Sequence, residues 1–125
     1  MNLLDWSSYN CLAVGLDSSV FIWSGHTSKV SKLLTLEDPD SVCSISWSQR
    51  NQHISVGNSL GEVEVWDVVK GKSIRKWGGH EGLIGSYHNV ICVIGSLAWN
   101  NYLLASGSRD RNILVRDVRC PDESV

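Results

Sequence analysis

The sequence predicts an all-β fold, and two features of its 125 residues predict it. No stretch sustains a helical apolar period, whereas short alternating runs bounded by turn formers recur along the chain. Those runs also repeat. "LAVGLDSSVFIWS" (Leu12 to Ser24), "ISVGNSLGEVEVWD" (Ile54 to Asp67) and "LASGSRDRNILVRD" (Leu104 to Asp117) share one plan. Each is a short apolar strand, a Gly or polar turn, then an alternating strand closing on Trp-Ser, Trp-Asp or Arg-Asp. A second set precedes them: "LLDWS" at Trp6, "SISWS" at Trp47 and "SLAWN" at Trp99. Trp23 to Trp66 is 43 residues and Trp6 to Trp47 is 41. A period of about 40–45 residues with a terminal Trp-Asp is the signature of four-stranded WD40-repeat β-propeller blades.

Laid out as blades, the first (about 2–36) holds strands near 2–7, 11–16, 19–24 and 29–36. The second (about 41–77) holds strands near 41–48, 53–58, 62–67 and 72–77, and the third (about 80–117) near 93–99, 102–107 and 112–117. Ser7-Ser8-Tyr9-Asn10, Asp17-Ser18-Ser19, Asn58-Ser59-Leu60-Gly61 and Lys70-Gly71-Lys72 supply the turns. Gly25-His26 falls in the turn between the third and fourth strands. "GEVEVWD" alternates strictly, so Val63 and Val65 share one side while Glu62, Glu64 and Trp66 share the other. One stretch breaks the period. From His80 to Trp99 there are 19 residues, about ten more than a turn and a strand require, and "LIGS" (Leu83 to Ser86) recurs as "VIGS" (Val93 to Ser96). Removing ten residues brings Trp47 to Trp99 from 52 to 42, the spacing of the rest, so the run near 87–96 reads as an insert. Ring closure needs about four to eight blades, so the chain reads as a propeller fragment with two open apolar faces.

Composition narrows the function. A net charge of −2, from 11 basic and 13 acidic residues, offers no broad field for phosphate backbones, so no nucleic-acid partner is expected. No apolar run approaches the roughly 18 residues of a membrane span, so no membrane partner is expected either. Cys11, Cys43, Cys92 and Cys120 form no C-x-x-C pair and stand at no finger-like distance from a His. No metal and no cofactor are therefore expected, and the thiols read as reduced. His80, Ser106 and Asp110 invite a hydrolase reading, but no G-x-S-x-G elbow is present. In a WD blade these three form a buried structural hydrogen-bond set, so an enzyme is not expected. Arg116 stands where the sibling blades carry Trp and reads as a solvated or locally paired cation. Together with Arg109, Arg111 and Arg119 it makes a basic cluster that reads as a solvated loop face. His53 and His88 have no evident partner.

"NLLDWSSYNCLAVGLDSSVFIWS", "DSVCSISWS", "GEVEVWDVVKGKSIRKWGGH" and "SLAWNNYLLASGSRDRNILVRDVR" together resemble the Fizzy and Fizzy-related proteins, in order, over all but the insert. The "SRDRNIL" string leans toward the Fizzy-related branch. The resemblance implies about the first three blades of a seven-bladed propeller. It also implies a substrate-recruiting activator of the anaphase-promoting complex, a ubiquitin ligase, found in nucleus and cytoplasm. The implied partners are subunits of that complex and substrate proteins bearing degrons, the destruction box and the KEN box among them. Of the family's pocket for the destruction-box leucine, Val14, Phe21 and Trp23 occupy the matching positions; Phe21 stands where Tyr is common. The family's docking segments, a C-box and an Ile-Arg tail, are not in this sequence, which reads as truncated. A generic WD-repeat interaction scaffold and a non-functional truncated product are the competing readings.

Overall fold

The computed structural model describes residues 3–37, 40–78, 94–108 and 113–119. Every described element is a strand, arranged in three antiparallel sheets. The first sheet runs β1 (Leu4–Trp6), β2 (Cys11–Leu16), β3 (Ser19–Ser24), β4 (Lys29–Thr35) in chain order. The second runs β5 (Val42–Trp47), β6 (His53–Asn58), β7 (Val63–Asp67), β8 (Lys72–Trp77), and the third joins β9 (Ile94–Asn100), β10 (Leu103–Ser108) and β11 (Ile113–Asp117). The expected strands are all present, with ends moved by a residue or two.

Turn chemistry sets these boundaries. Asn58 Oδ1 accepts from the backbone N–H of Leu60 at 3.0 Å and of Glu62 at 2.8 Å, folding β6 onto β7. Ser7 Oγ accepts from the N–H of Tyr9 and of Cys11, closing the β1–β2 turn, where Asn10 takes a left-handed φ of 61°. Gly71, at φ 66°, turns β7 into β8.

Alternation then sets the core. Cys11, Ala13, Val20 and Ile22 on one side of the first sheet pack against Val42, Ile45, Trp47, Ile54 and Val56 of the second. Val63, Val65 and Trp77 on the far side of the second sheet pack with Leu104 and Val118. Full burial of a Val or Ile contributes about 1.5–3 kcal/mol, so both interfaces are strongly apolar glue. Gly15 leaves the room that the Val42 side chain of the second sheet fills. A Cβ on Gly15 would sit 2.9 Å from Val42 Cγ1.

Tryptophan joins the sheets at their first strands. Trp47 Nε1 donates to the Asp5 carbonyl at 3.0 Å, and Trp99 Nε1 to the Ser46 carbonyl at 3.0 Å and to Ser55 Oγ at 3.1 Å. In each case the accepting carbonyl belongs to the residue just before the preceding sheet's Trp, Trp6 or Trp47. The second family of repeats is thus a ladder of inter-sheet rungs.

Two expectations meet the structure here. Arg116 is not solvated: it is 4% exposed, its guanidinium lies 5.5 Å over the Trp77 ring, and it donates to the Gly78 carbonyl. The reason is positional. Residue 116 pairs with Leu104 on the side facing the second sheet, just as Trp66 pairs with Ile54 and Trp23 with Leu12. A planar guanidinium fills that slot where an indole would, stacking on the neighbouring ring. The run near 87–96 lies outside the described residues except at its end, where Ile94–Ser96 open β9 and Ser96 pairs with Gly107.

Candidate functional site

Val14, Phe21 and Trp23 converge because of strand periodicity and a tight turn. Asp17, at φ 57°, turns β2 back on β3 so that Val14 lies opposite Phe21 and Leu12 opposite Trp23. Residues two apart share a face, so all three point the same way. They lie, half-buried, on the side of the first sheet away from the second. Leu4 (57% exposed) pairs with Val14, Trp6 (52%) with Leu12, and Val30 (63%) with Trp23, extending one apolar face. Trp6 and Trp23 meet edge to face, ring centroids 5.8 Å apart.

The second sheet shows what these positions do when another sheet covers them. Its equivalents are Val56, opposite Glu64, and Trp66, opposite Ile54. There the two sheets do not seal completely. A cavity of about 390 Å³ remains, with Glu64 and Trp66 in its walls alongside Leu34, Leu36 and Leu60. The buried Asp40 and Asn58 line it too. Asp40 Oδ1 accepts from the N–H of Ser41 (2.9 Å), the N–H of Ser59 (3.2 Å) and the hydroxyl of Ser59 (2.9 Å), which pins the chain between β4 and β5 to the β6–β7 turn.

At the opposite ends of the strands, a second cavity of about 310 Å³ opens between the second and third sheets. Ile74, Trp99, Tyr102 and Val118 line it, with His53, Arg75 and Arg119 at its polar edge. Arg50 and Arg119 stack over the Tyr102 ring, at 4.8 and 4.6 Å. Arg119 also grips Asp117 at 2.7 Å, and that hydrogen bond holds the Asp117 carboxyl below its ordinary pKa. His53, which had no partner in the sequence, stands 3.6 Å from Asp67. Burial raises the Cys43 thiol pKa, as expected of a structural thiol.

Of the expected hydrogen-bond set, Ser106 is buried on β10, 2% exposed, and His80 and Asp110 lie outside the described residues. Sequence reasoning passed over Asp5, whose Oδ2 accepts from the Trp47 N–H at 2.7 Å. The available signal was its place immediately before Trp6, within the repeated Trp motif. Among the described residues no group of His, Cys, Asp and Glu could hold a metal. No helix among them is long and apolar enough to cross a membrane.

Stacked antiparallel sheets, tied by Trp47 and Trp99 near the ends of their first strands, with Trp6 to Trp47 and Trp23 to Trp66 spaced at 41 and 43 residues, define WD-repeat β-propeller blades. No family model matches the chain. Curated proteins do. B-type cell cycle switch protein ccs52B of Medicago truncatula is 46% identical over all 125 residues, and Protein FIZZY-RELATED 3 of Arabidopsis thaliana is likewise 46% identical over the whole chain. Anaphase-promoting complex subunit cdh1 of Dictyostelium discoideum is 46% identical over 95% of the chain. The chain belongs to the family of Fizzy and Fizzy-related WD-repeat proteins. It spans 24% of the length of the plant relatives and 15% of the Dictyostelium protein. Among solved structures, a chain of the mitotic checkpoint complex matches all of it at a TM-score of 0.88 and 34% identity, over 37% of that chain. The Swd1 β-propeller of Myceliophteria thermophila, at TM-score 0.74 and 20% identity over 97% of this chain and 36% of its own, shares the fold.

Proposed function

We propose that this chain supplies part of the degron-binding propeller of an activator of the anaphase-promoting complex, a recruiting and not a catalytic role. In this reading the outer face of the first sheet forms one wall of the slot for the destruction-box leucine. Val14, Phe21 and Trp23 provide its apolar surface. The observation that carries the reading is the repeat equivalence. The matching residues of the second sheet, Glu64 and Trp66, line an open cavity and not a sealed core. A covered first sheet would leave the same gap, walled by Phe21 and Trp23. Burying a leucine side chain there would contribute about 1.5–3 kcal/mol. The family assignment and the relatives' names support the wider role.

The test is Trp23→Ala in the complete propeller, with calorimetry on a destruction-box peptide and a KEN peptide. Weaker destruction-box binding with KEN binding unchanged is the expected outcome. Equal loss on both would mean the substitution only damages the blade, and the slot assignment would fall.

A further inference from the structure

We propose that the cavity between the first and second sheets is a separate peptide slot, one that takes a lysine or arginine side chain from an extended segment of a partner protein. At about 390 Å³ it lies within the size range of small-ligand sites, roughly 300–1,000 Å³. Leu34, Leu36, Leu60 and Trp66 line it, and Glu37 and Glu64 supply carboxylates at its walls.

Hydrogen bonds and ion pairs separate the structural acids from the available ones. Asp40 is held in place through its Oδ1, which accepts from Ser41 and Ser59. Glu62 faces Lys76 at 4.0 Å and accepts from Asn58 Nδ2 at 3.2 Å. Glu37 and Glu64 have no ion pair or side-chain hydrogen bond among the described residues. Surface carboxylates are ordinarily just solvated, but these two border a cavity that also carries Leu34, Leu36, Leu60 and Trp66; its lysine, Lys76, stands across from Glu64 and is drawn to Glu62 at 4.0 Å, leaving the lining acidic in balance. That combination suits a long cationic side chain. Its methylenes lie along the leucines, its charge reaches the carboxylates, and the indole adds a cation–π surface.

The repeat adds a positional reason. Glu64 pairs with Val56 as Phe21 pairs with Val14, so the two occupy the same place in successive sheets. At one inter-sheet position the chain carries an aromatic ring and at the next a carboxylate. The same architecture thus presents an apolar slot in one place and a cation-selective slot in the other. Both walls of the second slot lie within this chain, so the proposal stands whether or not the leucine slot does.

The experiment uses the 125-residue chain and fluorescein-labelled hexapeptides with a central arginine or its neutral isostere citrulline, followed by anisotropy. The arginine peptide should bind about tenfold more tightly, with a preference that shrinks as salt rises. Glu37→Gln with Glu64→Gln should abolish that preference. Glu64→Asp, which keeps the charge, should retain most of it, and Val69→Ser, exposed in the turn between β7 and β8, should leave it intact. Circular dichroism on each variant confirms the sheets. Equal affinity for the two peptides, or a preference that survives the double substitution, would overturn the proposal. Calcium or magnesium alone binding stoichiometrically and displacing the peptide would overturn it too, in favour of an ion site.

Discussion

Replacing Asp5 with alanine isolates the inter-sheet bridge. Asp5 Oδ2 accepts from the Trp47 N–H at 2.7 Å, across 42 residues of sequence, while its own carbonyl accepts from Trp47 Nε1 at 3.0 Å. Alanine keeps the second bond and removes the first. Trp47 is only 1% exposed, so its amide is left with little access to water. A hydrogen bond to a charged acceptor contributes about 1.5–3 kcal/mol, and orphaning a buried donor costs about 1–3 kcal/mol, so a loss near 2 kcal/mol is expected. At this chain length, roughly 3–6 °C of melting temperature accompanies each kcal/mol, which places the fall at about 6–12 °C. Asn at position 5 retains an uncharged acceptor and should cost about half as much. Urea and thermal unfolding, followed by far-ultraviolet circular dichroism and tryptophan fluorescence, would measure both. A loss below about 0.5 kcal/mol for Asp5→Ala, within the range of an ordinary surface change, would refute the bridge. So would an Asn variant as costly as the Ala one.

Trp99→Phe removes the rung to Ser46 and Ser55 but leaves Ser55 Oγ donating to the Ser46 carbonyl at 2.9 Å, so urea unfolding should show a loss of only about 0.5–1.5 kcal/mol. Arg116→Lys keeps the charge but loses the planar stack on Trp77; it should lower stability by about 1–2 kcal/mol, and an unchanged urea midpoint would contradict the stacking role. Arg119→Gln removes the hydrogen bond that lowers the Asp117 pKa, so carboxyl carbon NMR should show Asp117 titrating closer to its ordinary value. The lowered pKa contributes stability above the unfolded-state value, a contribution lost as pH falls through the folded one; in the glutamine variant that acid-side loss should shrink.

Local rules carried the strands and their faces. Alternation in "GEVEVWD" places Val63 and Val65 together, and both are fully buried at 0% exposure. The short Asp17-Ser18 turn leaves little freedom in how β2 meets β3, so a period of two suffices to bring Val14, Phe21 and Trp23 onto one face. The shared face of Val14, Phe21 and Trp23 was therefore legible in the order of the residues, while its reading as a leucine slot came from the family resemblance. The recurrence of Trp6, Trp47 and Trp99 likewise marks the first strand of each sheet, because each repeat is one hydrogen-bonded sheet.

What the sequence could not decide is everything that depends on one sheet meeting the next. Arg116 reads as a solvated or locally paired cation, yet it is buried against Trp77 of the second sheet because its face is the one that sheet covers. Asp5 and Trp47, or Arg50 and Tyr102, are about as far apart in sequence as a whole blade, and no local period links them. The acidic slot required both sheets to be in place, since Leu34, Leu36 and Glu37 wall it from one and Glu64 and Trp66 from the other. Sequence by itself determined the strands, their faces and the repeat, because backbone geometry and turn chemistry act over a few residues. Only the tertiary structure decided which polar groups are bridged, which cation is buried and where a gap remains, because those follow from how twisted sheets pack side by side.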